Sequence, residues 1–102
     1  MKIVAVTACI VGIAHGYLAA TALKKAAAAR GIKIKVETQG GLGVINQLSA
    51  EDVENADIVI LAVDTEISGP ERFEGKKVIT VKVSETIKDA DSVLEMALSK
   101  VG

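Results

Sequence analysis

Apolar and polar positions alternate in blocks along the chain, and each block has the period of a single element. "KIVAVTA", Lys2 to Ala8, is a β-branched run with no polar residue at its centre, the pattern of a strand buried on both faces. From Gly16 to Arg30, "GYLAATALKKAAAAR" is rich in Ala and Leu and predicts a helix, with Lys24 and Lys25 turned to solvent and Gly31 as its C-cap. "IKIKVET", Ile32 to Thr38, alternates apolar with charged residues and predicts a strand with one face toward solvent, near a sheet edge. "QGGLGVINQL" has three glycines in close succession and reads as loop. Ser49, with Asp52 three positions on, has the spacing of a capping box opening a short helix. "DIVILAVD", Asp57 to Asp64, is the most apolar strand and so belongs at the centre of a sheet. A polar loop with the only proline, Pro70, leads to a fourth strand, Val78 to Val83. Ser84 onward reads as one amphipathic helix carrying Val93, Leu94, Ala97, Leu98 and Val101 on its apolar face.

Strands separated by helical connections predict an α/β three-layer sandwich: a four-stranded parallel sheet with helices on both faces. The first and third strands are the most apolar and therefore central, which gives the order 2-1-3-4. The topological switch then falls between strands one and three, where ligands of such sheets bind beyond the carboxyl ends. The stretch that follows strand one, "CIVGIAH", holds the chain's only cysteine, Cys9, and its only histidine, His15.

At 102 residues the chain is expected to be one domain, 1–102. Lys and Arg total 12 against 13 Asp and Glu, a formal charge of −1, which argues against a general nucleic-acid binder. With one Phe, one Tyr and no Trp there is also no aromatic platform for bases. A single cysteine forms no internal disulfide and fits a reducing, cytoplasmic setting. The apolar N-terminal run resembles a signal peptide, but Gly12, His15 and Gly16 interrupt it, and it reads as strand leading to helix.

A thiol at the mouth of a loop entering a helix is placed for nucleophilic attack on phosphorus, with the amides of Ile10, Val11, Gly12, Ile13, Ala14 and His15 available to the phosphoryl oxygens. Gly12 and Gly16 are expected to allow close backbone approach and unusual dihedrals. The loop has the length of the cysteine phosphatase signature, but His15 stands where that signature needs Arg, so the bidentate clamp on a transferring phosphoryl group is missing. One Cys and one His fall short of a zinc ligand set, and no metal is expected. Gly40, Gly41 and Gly43 form a possible second loop without a Walker lysine or dinucleotide spacing. Asp64 and Glu66, at the end of strand three, are candidates for a general acid or for simple capping. From the residues, a phosphoryl carrier, a small cysteine phosphatase and a non-catalytic phosphate-binding module all stay open.

"VAVTAC–GIAH–Y-AA–AL", "IKVETQG–G", "A-D-VILA-D" and "RF-GK" together resemble the IIB domains of the fructose-specific branch of the bacterial sugar phosphotransferase system, over nearly the whole chain. The resemblance implies a cytoplasmic α/β domain in which Cys9 is the nucleophile and covalent carrier. Cys9 would accept a phosphoryl group from phosphohistidine of a IIA partner and pass it to a sugar, fructose or a relative, bound in the membrane permease IIC. The Ile10 to His15 amides would cradle the group. No organic cofactor or metal is implied, and the domain would meet the inner face of the membrane through IIC. Family members commonly carry Pro-Thr after the cysteine and Thr after the histidine; here those positions are Ile10, Val11 and Gly16. The change at Val11 removes a side-chain donor, and that at Gly16 removes a possible N-cap.

Overall fold

The computed structural model describes residues 1–9, 13–40 and 43–101. Its elements run β1 (Lys2–Ala8), α1 (Ile13–Ala29), β2 (Lys33–Gly40), β3 (Gly43–Ile45), α2 (Ala50–Glu54), β4 (Ile58–Val63), a 3-10 helix (Pro70–Phe73), β5 (Val78–Val81), α3 (Val83–Lys88) and α4 (Ala90–Val101). The sheet has five strands in the order β3-β2-β1-β4-β5. β1 pairs in parallel with β2 and β4, and β4 with β5, whereas β3 pairs antiparallel with the end of β2.

The expected four-stranded, all-parallel sheet is thus corrected to a mixed five-stranded one. The four parallel strands do run in the expected sequence, with the most apolar pair, β1 and β4, at the centre. The extra strand comes from the segment read as loop. β2 continues through Gln39 and Gly40, and Gly43 to Ile45 fold back on it, pairing Thr38 with Ile45 and Gln39 with Val44. A positive φ of 118° at Gly43 suits a residue without a Cβ. Glycine clustering signals a turn, but it does not say whether the flanks pair.

Alternation along β1 builds both sides of the core. Ile3 and Ala5 join Ala20, Leu23 and Ala27 of α1 and Val93, Leu94 and Ala97 of α4. Val4 and Val6 face the other way, against Leu48, Val53 of α2 and Phe73 of the 3-10 helix. The small buried residues of α1 let its backbone lie close to the sheet. Its C-terminus closes in a Schellman motif: Ile32 N–H donates to the Ala27 carbonyl (2.9 Å) and Gly31 N–H to that of Ala28 (3.1 Å), with Gly31 at φ 68°. At α2 the capping box is complete, Asp52 N–H donating to Ser49 Oγ and Ser49 N–H to Asp52 Oδ2, each at 3.0 Å. The ammonium of Lys35 and the Ser49 donors hold Asp52 down to about 2.

The terminal helix is two helices. Asp89 (φ −153°, ψ 75°) breaks it and caps α4, accepting from Ser92 N–H (3.1 Å) and Ser92 Oγ (2.7 Å). Asp is poor in helix interiors and favoured at N-caps because its carboxylate competes for backbone donors. Those same Ser92 donors hold the Asp89 carboxyl below its usual range.

One buried ion pair ties the segments beyond the sheet together. Glu37 of β2, 1% exposed, accepts two parallel hydrogen bonds from Arg72, at 2.8 and 2.9 Å. It also accepts from Gln39 Nε2 (2.7 Å) and from Leu48 N–H (2.9 Å). Arg72 in turn donates to the Gly69 carbonyl (2.8 Å) and lies 4.9 Å from the centre of the Phe73 ring. This corrects the solvent-facing reading of β2: Lys33 and Lys35 are exposed, but Glu37 on the same side is not. Burial pushes the Glu37 carboxyl up; the Arg72, Gln39 and Leu48 donors outweigh it and bring it below 4.5. The Glu37 carboxylate, in return, holds the Arg72 guanidinium's pKa above its ordinary value.

A lowered folded value means the pair's stabilisation is complete above the ordinary glutamate range and is lost as pH falls through the depressed value. Arg72→Met leaves the buried carboxylate unpartnered, and denaturant unfolding at neutral pH is expected to show a loss of about 3–5 kcal/mol. With the guanidinium gone only burial and two weaker donors act on Glu37. The deficit should therefore shrink as pH falls and the carboxyl protonates; a deficit that grew on acidification would contradict the account.

Candidate functional site

Register builds the site. Ala8 of β1 is aligned with Gln39 of β2 and Val63 of β4. One residue further along each chain stand Gly40, Cys9 and Asp64, across the carboxyl edge of the parallel strands. Asp64 N–H donates to the Ala8 carbonyl (2.9 Å), which carries the alignment of β1 and β4 one step past the strands. This is the switch point, because β2 lies to one side of β1 and β4 to the other.

Three polar groups converge there. The Cys9 thiol donates to Asp64 Oδ2 at 3.7 Å. Its sulfur lies 3.8 Å from His15 Nδ1, which comes from the first turn of α1. Asp64 is held in place by its other oxygen, which accepts from Val83 N–H at the start of α3 (3.3 Å). Cys9 is 3% exposed and packs on Ala19 and Val83, whereas His15 and Asp64 are open to solvent. The sulfur therefore has an apolar side toward the helices and a polar side bounded by a carboxylate and an imidazole.

Of the remaining loop residues singled out in the sequence, Ile13, Ala14 and His15 open α1, whereas Ile10, Val11 and Gly12 lie outside the described residues, as does Gly41. Because α1 starts at Ile13, Gly16 is inside the helix and not at its N-cap. Its backbone φ is not positive, so the expected unusual dihedral is absent there. Close approach is present: a Cβ on Gly16 would stand 3.2 Å from Thr38 Cγ2 and 3.3 Å from Thr7 Oγ1. Those two threonines are buried and hydrogen-bonded to each other at 3.2 Å, so the helix entry rests on a polar contact between β1 and β2. Glu66 is exposed and lines a groove of about 640 Å3 with Leu61, Val63, Asp64, Ile67 and Pro70.

Sequence reasoning missed the device that holds this rim. Gln39, aligned with Ala8, is bonded to the chain beyond Asp64: Ser68 N–H donates to Gln39 Oε1 (2.8 Å) and Gln39 Nε2 to the Ser68 carbonyl (3.2 Å). With the Glu37–Arg72 pair it fixes residues 68–73 to β2. The only signals were an acidic residue within a strand and the arginine of "RF-GK", 35 positions apart.

Residues 4–96 match a family described as PTS system, Lactose/Cellobiose specific IIB subunit. The chain belongs to this phosphotransferase-system IIB family. A phosphoryl-carrier role in sugar uptake goes with that membership. Similar relatives place this IIB chain in the fructose branch. It is 53% identical over 93 residues to the PTS system fructose-like EIIB component 2 of Escherichia coli (strain K12), covering 91% of this chain and 88% of the relative. It is 49% identical over 100 residues to the PTS system fructose-specific EIIB'BC component of Rhodobacter capsulatus, covering 98% of this chain and 17% of that much longer protein. Among solved structures, the crystal structure of a predicted fructose-specific IIB from Escherichia coli superposes with a TM-score of 0.94 at 35% identity, covering 99% of this chain and 89% of that one.

Within this IIB chain the Asp64 carboxylate should also stabilise the fold through α3. Asp64→Ala leaves the Val83 N–H without its acceptor and is expected to cost about 1 kcal/mol in denaturant unfolding. Asp64→Asn keeps an acceptor oxygen and should unfold near the wild-type midpoint; equal loss in both variants would show that the bond to Val83 is not what matters.

Proposed function

We propose that Cys9 is the phosphoryl carrier of this IIB chain. In the first half-reaction its sulfur attacks the phosphorus of a phosphohistidine on a IIA partner, the P–N bond breaks and an S–P bond forms. In the second, a hydroxyl of a sugar held by the membrane permease IIC attacks the same phosphorus, and the sulfur leaves. The substrate belongs to the fructose class, since relatives such as those of Escherichia coli and Rhodobacter capsulatus bear fructose names, and the domain works on the cytoplasmic side, reaching the membrane through IIC. Among the described residues no helix is long and apolar enough to cross a membrane. The B'BC architecture named in the Rhodobacter capsulatus relative supports IIC as a partner.

The observation that carries this reading is the position of the single thiol. It stands at the carboxyl end of the central strand, at the sheet's switch point, between a carboxylate and an imidazole. A nucleophile so placed meets partners arriving at one edge of the sheet, and both must use that edge in turn. Exposed apolar side chains flank it: Tyr17 and Leu18 follow His15 on α1, and Val44 and Ile45 project from β3. Contacts of modest area suit a carrier that must release each partner. The amides of Ile10 to His15 are assigned to the phosphoryl oxygens, with His15 replacing the arginine that hydrolysis would require. The alignment of Gly40 and Asp64 with Cys9 supports a place for them at the same rim, and Gly41 and Gly43 are assigned with them to the possible second loop.

The test is intact mass after incubation with phosphoenolpyruvate, the general phosphotransferase proteins and a fructose-type IIA, with Cys9→Ser alongside. One added phosphate on the wild type and none on the variant is the expected result. No gain with competent IIA donors, or equal gain on both chains, would overturn it.

A further inference from the structure

We infer that Asp64 is a catalytic residue of the carrier step, acting as the proton acceptor for the Cys9 thiol. The inference rests on the carrier reading and deepens it. A thiol attacks phosphorus as thiolate, so its proton must leave before or during attack. Of the polar groups brought to the sulfur among the described residues, Asp64 comes from the end of β4 and His15 from α1, while Val83 of α3 packs on it and gives its backbone N–H to Asp64. The thiol donates to Asp64 Oδ2 at 3.7 Å, while Oδ1 is occupied by Val83 N–H. One oxygen is therefore anchored and the other aimed at sulfur, which is the arrangement of an oriented base. Asp64 is exposed while Cys9 is buried, so a proton taken from the sulfur has a path outward.

The balance of the step follows. As sulfur attacks phosphorus, the S–H proton passes to Asp64 Oδ2 and the P–N bond breaks. The departing imidazole of the IIA partner then takes up the proton, which restores the carboxylate. In the second half-reaction the proton of the attacking sugar hydroxyl travels the reverse way and ends on sulfur as the S–P bond breaks. No oxidant, metal or further reactant is needed.

The charge of Asp64 makes the assignment sharp. A carboxylate that merely stood near the sulfur would repel the thiolate, and its neutralisation would speed transfer. A base, once neutralised, slows it. The experiment is rapid-quench phosphorylation of the wild type, Asp64→Asn and His15→Ala by a phosphorylated fructose-type IIA, across neutral to alkaline pH, with thermal unfolding of each chain. Asp64→Asn is expected to fold normally and to accept phosphate about 100-fold more slowly at neutral pH. It should regain rate at alkaline pH, where hydroxide takes the place of the missing base. Asp64→Ser, which also lacks the carboxylate, is a second variant expected to lose rate alike. An unchanged or faster Asp64→Asn, or a loss regained with alkali only in His15→Ala, would overturn the assignment. Failure of the carrier reading itself would look different, with no transfer to any chain, wild type included.

Discussion

A carboxylate with almost no access to water has to be partnered, and Glu37 is such a group. Its two oxygens are shared among a guanidinium, an amide and a backbone N–H that come from three stretches of chain: the 3-10 helix, β2 itself and the residue before the α2 cap. Satisfying one side chain therefore ties two other stretches, the 3-10 helix and the approach to α2, to β2. Arg72 reaches Glu37 from a 3-10 helix that opens at Gly69 (φ 69°) and Pro70, and it binds the Gly69 carbonyl as well. A hydrophobic contact at this place would be as favourable and far less directional.

The chemistry stands on that frame. Cys9 and Asp64 are 55 positions apart, and what places them side by side is the pairing of β1 with β4 continued one residue past each strand. Small residues serve the same end. Gly16 lets α1 settle on Thr7 and Thr38, which brings the first helical turn, with His15, over the end of β1. The candidate site thus combines an element of register with one of close packing, the latter set by residues outside the group of Cys9, His15 and Asp64.

Much of this was legible in the chain itself. β1 and β4 declared themselves by unbroken apolar runs, so the central pair and the switch point followed from composition alone. Ser49 and Asp52 marked the start of α2 by spacing. Cys9 and His15 drew attention by being the only residues of their kinds, and the motif resemblance named the family to which the chain proves to belong. What stayed hidden depends on partners distant in sequence. The burial of Glu37 needs Arg72, and an alternating strand gives no sign that its third charged residue turns inward while the first two do not. The pairing of β3 depends on β2 continuing past Thr38, and glycines there suggested an end. The break at Asp89 turns on a single capping residue inside a pattern that otherwise continues as helix.

The brevity of β3 has a bearing on how copies of the molecule meet. It covers only Thr38 to Gly40, so the outer side of β2 from Lys33 to Glu37 has no strand beside it among the described residues. Open strand edges invite a second chain to continue the sheet, the route by which folded domains associate into insoluble assemblies. On this edge Lys33 and Lys35 are both exposed. Two molecules joined there would crowd their Lys33 ammonium groups and strip the Lys35–Asp52 ion pair of water, so the stretch nearest to an uncapped template also resists its own kind. For a domain that must meet different partners in turn, solubility at this border keeps the opposite end of the strands free for exchange.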